Sequence, residues 1–181
     1  MRIKFFKLVV LLSTFLFSGR VFGGQVNFGG GYGPQALDNW NSQHNGVIDI
    51  SYTFYESGER KGWQFLCGIG YSYVFTDVDH DEDVDVFSVL PSVRYNLKQR
   101  GTVTPFLEIT IGPSYMSDKQ LGNREQGSHF NFNDFFTVGM RFGKDEEWEF
   151  RYSWRHLSNG NLFDLNPGWD IPFSFHLGKR F

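Results

Sequence analysis

Trp148-Glu149-Phe150-Arg151-Tyr152-Ser153-Trp154-Arg155-His156-Leu157-Ser158 changes character at every step. Aromatic side chains hold the even positions to 154, and charged or small polar ones hold the odd positions. That period of two belongs to an extended strand, not to a helix. His156 and Ser158 continue the aromatic face, so they point the same way and lie roughly 6–7 Å apart along the backbone. A proton-transfer group and a hydroxyl at the end of an aromatic stripe fit a wall that faces lipid and acts on lipid.

Working outward, the same alternation recurs seven more times. Ile48, Ile50, Tyr52 and Phe54 oppose Asp49, Ser51 and Thr53; Trp63, Phe65, Cys67, Ile69, Tyr71 and Tyr73 oppose Gln64, Gly68, Gly70 and Ser72. Val26 to Tyr32, Phe87 to Leu97, Thr104 to Ile111, Phe136 to Phe142 and Phe173 to Phe181 complete the set. The predicted connections alternate in length. Glu56–Gly62, Gln99–Gly101 and Gly143–Glu146 are short, whereas Gly33–Asn45, Thr76–Asp85, Ser117–His129 and Asn159–Gly168 are long. Short turns at one end and long loops at the other define an all-β, eight-stranded antiparallel transmembrane β-barrel of the bacterial outer membrane. Eight strands enclose side chains rather than a pore. The inner faces carry Asp49, Glu108, Glu149, Arg94, Arg141 and Arg151, which must pair with one another because an unpaired buried charge is very costly. Terminal Phe181, with Phe173, Phe175 and Leu177 at alternate positions, favours this reading over a soluble barrel with its aromatics inside. Lys179 interrupts that face and is expected to snorkel towards headgroups.

The composition agrees: 21 Phe, 8 Tyr, 5 Trp and 21 Gly suit alternating strands and tight turns. Beyond the N-terminus no apolar run is long enough for a spanning helix. Residues 1–23 read as a secretory signal peptide, with Arg2, Lys4 and Lys7 ahead of the apolar stretch Leu8 to Phe17. Residues 24–181 then form the barrel domain. Removing the signal's four basic residues takes the formal charge from -3 to -7, which excludes a nucleic-acid partner. The single Cys67 has no partner for an internal disulfide.

The C-terminal motifs Arg155-His156-Leu157-Ser158-Asn159-Gly160 and Asn166-Pro167-Gly168-Trp169-Asp170 resemble those of the lipid A 3-O-deacylase (PagL-type) family of outer-membrane enzymes. The resemblance implies an esterase that removes the 3-O-linked acyl chain of lipid A, with His156 as base, Ser158 as nucleophile and the acid at position 170. The family's best-known pattern has Glu where this chain has Asp170. Asn159 carries over as an oxyanion donor, and the Gly160 N–H is a second candidate. Residue chemistry agrees, because serine at its ordinary pKa needs an adjacent base and the base needs an orienting acid. No metal or organic cofactor is required.

The acid sets a geometric test. In a symmetric hairpin Asp170 pairs with His156 and points outward, yet Phe173, Phe175 and Leu177 outward put even-numbered residues inside. Both hold only if the ladder is irregular between Asp170 and Phe173. Otherwise Asp164 is the fallback acid. The alternative function is a non-enzymatic barrel that is structural, adhesive or lipopolysaccharide-binding. Partners are lipid A or lipopolysaccharide and outer-membrane lipid; a homodimer stays open. The acidic run Asp77 to Asp83 fails the calcium-loop pattern, with Glu82 where Gly is needed, and reads as a solvated loop. His176 reads as an interior hydrogen-bonding group.

Overall fold

The computed structural model describes residues 24–37, 42–57, 61–81 and 83–181. The expected signal peptide, residues 1–23, and Glu82 of the acidic run lie outside the described residues. Eight strands close a barrel: β1 (Gln25–Pro34), β2 (His44–Ser57), β3 (Gly62–Thr76), β4 (Asp83–Asn96), β5 (Thr104–Met116), β8 (Phe130–Phe142), β9 (Trp148–Ser158) and β10 (Trp169–Arg180). Every neighbouring pair is antiparallel, and β1 pairs β10 to shut the sheet. The two remaining strands, β6 (Gln120–Leu121) and β7 (Arg124–Glu125), form a hairpin within the β5–β8 connection.

The alternation read from the sequence decides which way each side chain points. Phe28, Trp63, Phe65, Ile109, Phe136, Trp154 and Phe175 lie exposed on the outer wall, whereas Arg94, Glu108, Glu149 and Arg155 are buried inside. An apolar belt around a closed sheet with no free edge is what a lipid bilayer demands of strands. β2 departs from the simple pattern: its register with β3 shifts between Thr53 and Tyr55, and this bulge leaves Phe54 and Tyr55 both exposed. In β1, glycine is a spatial necessity. A Cβ on Gly29 would lie 2.1 Å from the Phe175 carbonyl oxygen of β10.

The interior has two zones. In the half nearer the short turns, Arg94 bridges Glu108 at 2.6 Å and Glu149 at 2.7 Å, and Arg151 bridges the same two carboxylates. Asp49 joins Arg155 at 2.8 Å to His176 at 2.9 Å, so His176 is the interior group expected. Towards the long loops the interior turns apolar, with Val47, Val74, Val84, Val86, Met116, Leu157, Trp169 and Ile171 around Leu121 of the β6–β7 hairpin. Two loop bounds differ from expectation. The acidic connection is shorter, because β3 runs to Thr76 and β4 begins at Asp83. The 117–129 segment, expected as a long polar loop, carries the β6–β7 hairpin, whose Leu121 is fully buried and caps the apolar zone. Lys179 holds its ammonium 5.0 Å from the Trp148 ring centre, a cation–π contact beside the aromatic belt.

Candidate active site

His156 and Ser158 occupy the last turns of the pleat in β9, at the long-loop end. Leu157 between them points inward and is fully buried, so the backing of the site is the apolar zone. Across the sheet, Asp170 pairs with His156 and Trp169 pairs with Leu157. The β9–β10 register then shifts between Ile171 and Ser174. One extra residue enters β10 there, which lets Asp170 share a face with His156 while Phe173 and Phe175 still face outward. Pro172, with no N–H to leave unpaired, sits in the bulge, and its carbonyl accepts a hydrogen bond from the Tyr152 hydroxyl at 3.0 Å.

The resulting contact is direct: His156 Nδ1 lies 2.8 Å from Asp170 Oδ1. A carboxylate there accepts Nδ1–H, which leaves Nε2 as the basic nitrogen. The Cε1–Nε2 edge of the ring lies against Gly168, whose added Cβ would fall 2.6 Å from Cε1. Gly168 also has φ of 65°, where a side chain is strained.

Asp170 is fully buried. The β1–β10 ladder ends at Gly31↔Ser174, short of Asp170. Continuing that register would set Gln35 opposite Asp170, and the Gln35 side chain does the pairing that backbone does elsewhere. Its Nε2 donates to Asp170 Oδ2 at 2.5 Å, and its Oε1 accepts the Asp170 N–H at 3.1 Å. The Leu37 N–H also donates to Asp170 Oδ2, at 2.7 Å. Asn45 Nδ2 reaches both Gln35 Oε1 and the Asp170 carbonyl at 3.0 Å. Each hydrogen-bonding group around the carboxylate is therefore engaged, which fixes its orientation.

Asn159 is buried, with its Nδ2 donating to the Leu165 carbonyl at 3.0 Å and its backbone N–H to Asn166 Oδ1 at 2.7 Å. Gly160 follows with φ of 63° and is exposed. Asp164 is exposed on the loop between β9 and β10. The β6–β7 hairpin anchors the other side of the loop: Arg124 Nε donates to the Gly168 carbonyl at 2.6 Å, and Trp169 Nε1 donates to the Arg124 carbonyl at 3.2 Å. Sequence reading missed Gln35 and the inward role of Arg124. Gln35 carries no periodic signal, and Arg124 lies in a polar stretch whose folding back is a tertiary fact.

Among solved structures, the chain is similar to the outer-membrane enzyme PagL, with 18% identity, 88% of this chain and 100% of that chain covered, and a TM-score of 0.61. It is also similar to Neisserial surface protein A, with 14% identity, 88% and 96% coverage and a TM-score of 0.55. At such identities these likenesses speak for the eight-stranded fold. No curated protein matches the sequence. The family model for lipid A 3-O-deacylase (PagL) matches residues 21–179, nearly the whole chain, and carries the assignment. With its barrel and its apolar outer wall, the chain thus belongs to the lipid A 3-O-deacylase (PagL) family of outer-membrane ester hydrolases.

Proposed function

We propose that this chain removes the 3-O-linked acyl chain of lipid A by a serine mechanism run on the outer wall of the barrel. The observation that carries the mechanism is the 2.8 Å contact between His156 Nδ1 and Asp170 Oδ1, with Ser158 two residues along the same face. The Ser158 hydroxyl attacks the ester carbonyl carbon while His156 Nε2 takes its proton. The negative charge moves to the carbonyl oxygen, and Asp170 stabilises the imidazolium. Collapse of this intermediate breaks the bond to the sugar oxygen, which receives the proton from His156. Water, deprotonated by His156, then attacks the acyl-serine; the 3-hydroxy fatty acid leaves and Ser158 is protonated again.

The oxyanion donors are the Asn159 side chain and the Gly160 N–H, both at the start of the turn that follows Ser158. Gln35 and the Leu37 N–H hold the acid, the role a second layer of hydrogen bonds plays around a catalytic group. The membrane itself delivers substrate laterally, so no deep cleft is needed. Asp170 is favoured over Asp164 because it is buried and bonded to the imidazole.

Mass spectrometry of lipid A from cells expressing the chain tests this. Ser158→Ala and His156→Ala should keep a folded barrel and lose roughly a thousandfold or more in turnover. Loss of the 3-O-acyl chain at wild-type rate in either variant refutes the mechanism.

A further inference from the structure

Three large apolar side chains stand open on the β9–β10 connection. Leu162 and Leu165 are each 61% exposed and Phe163 46%, close to Phe65 and Ile109 on the outer wall, at 60% and 55%. The turn geometry places them beside the nucleophile. The Leu162 N–H donates to the Asn159 carbonyl at 3.1 Å, and Gly160 and Asn161 between them have φ of 63° and 60°. These are the marks of a type I′ turn, which reverses the chain and returns the Leu162 Cα to within about 7 Å of the Asn159 Cα. Leu165 is drawn to the same place from the other end. Its carbonyl accepts from Asn159 Nδ2 at 3.0 Å and from the Gly127 N–H at 2.7 Å.

Leu165 also has φ of 58°, a conformation that leucine rarely adopts. A strained leucine fastened at its backbone and left open at its side chain points to what that side chain meets. Water is a poor partner for three such groups together, and an open apolar patch of this kind marks an interaction surface. The wall itself supplies the occupant. The lipid-facing side of β9 runs from Trp148 through Trp154 to Ser158, and Leu162 and Leu165 adjoin its end. On β4 the outward face closes differently towards the long loops, in Asp85 and Asp83, which accept from the Tyr71 and Tyr73 hydroxyls at 2.6 Å. The belt is thus bounded by carboxylates at β4 and by apolar side chains at the site.

We propose that the 159–165 turn is a lipid-contacting shoulder, whose Leu162, Phe163 and Leu165 enter the acyl chains of the outer leaflet and set the hydrocarbon boundary above Ser158. Asp164, exposed between Phe163 and Leu165, keeps the backbone of the turn at the level of the headgroups. The ester of a membrane lipid then meets the serine at its resting depth and is not lifted out of the leaflet. The kinetic consequence rests on the Ser158 mechanism above, whereas the depth of the turn is read independently of it.

In a Cys67→Ser background, Leu162→Cys and Phe163→Cys are each labelled with a nitroxide and reconstituted in phosphatidylethanolamine–phosphatidylglycerol vesicles. Ile109→Cys on the wall and Asp79→Cys on the exposed β3–β4 connection calibrate the scale. Collision with oxygen, set against collision with a water-soluble nickel chelate, reads the depth of each label. Both turn labels should favour oxygen as Ile109→Cys does. Preference for nickel at the level of Asp79→Cys overturns the proposal. So does spin–spin broadening that vanishes on dilution with unlabelled protein, which would assign the turn to a second copy of the chain. The functional arm uses Leu162→Ser combined with Phe163→Ser. Its kcat/KM on a 3-O-acyl glucosamine lipid in vesicles, divided by that on a monomeric short-chain analogue, should fall about tenfold from wild type, the scale of withdrawing one large apolar side chain from lipid. An unchanged ratio, or an equal loss on both substrates, overturns the kinetic role. Turnover by Ser158→Ala, run beside them, sinks the underlying mechanism and leaves the depth reading standing. Migration of the unheated protein on gels verifies that each barrel is folded.

Discussion

At the scale of single residues, the site depends on how little freedom the imidazole has. Asp170 fixes Nδ1, and the α-carbon of Gly168 bounds the far edge of the ring. Gly168→Ala should therefore act twice, through a left-handed φ of 65° and through a Cβ that meets His156 Cε1. A displacement of about 1 Å is enough to cost on the order of a hundredfold in rate. We expect that loss in lipid A deacylation by the variant, with the barrel still folded on unheated gels. Gln35→Ala removes one of the two donors to Asp170 Oδ2 and the acceptor of the Asp170 N–H. A fall in kcat of about 10–100-fold with little change in KM is expected, because the lost bonds orient the acid and touch no substrate. Gln35→Glu should do no better, since it sets a second carboxylate against the first. His156 and Ser158 were legible in the sequence because they extend an aromatic stripe where polar groups have no structural excuse. Gln35 was not, because its importance comes from the end of a backbone ladder 135 residues away in sequence.

At the scale of elements, the decisive feature is the register shift in β10. Alternation alone contained the contradiction: Asp170 and Phe173 could not both face outward on a regular strand, so the pattern itself required a bulge. The register shift between Ile171 and Ser174 answers it. The face of Asp170 gives a direct check. Inserting one alanine between Asp170 and Ile171, with the pairing from Ile171↔Arg155 onward kept, inverts the pleat at Asp170, so its carboxylate leaves the face of His156 and activity should fall to the level of Asp170→Ala. Quantifying residual 3-O-acyl chain for the two variants side by side decides it, and full activity in the insertion would remove Asp170 from the relay. The β6–β7 hairpin was invisible at this scale, because two-residue strands leave no periodicity. Its burial rests on Leu121 docking among residues from six other strands.

At the scale of the whole molecule, stability and chemistry occupy opposite ends of one barrel. The paired charges Arg94, Glu108, Glu149 and Arg151 lie towards the short turns, and Glu149 is seven residues before His156 on the same strand. At ~3.3 Å per residue that is roughly 23 Å along β9. Between them stands the Asp49–Arg155–His176 group, which among the described residues shares no hydrogen bond with the Arg94 network. Existence of the inner network was legible from charges on the polar face of the strands. Who pairs with whom was not, because it depends on the stagger of the closed sheet. Arg94→Ala would leave two buried carboxylates with Arg151 as their remaining cation. Breaking a buried pair by deleting one partner costs about 3–5 kcal/mol. Urea unfolding of the refolded protein in detergent should show that loss, while the folded fraction deacylates lipid A at the wild-type rate. A drop in specific activity matching the drop in stability would mean that the ionic half and the site are mechanically coupled through β9, and the separation described here would fail.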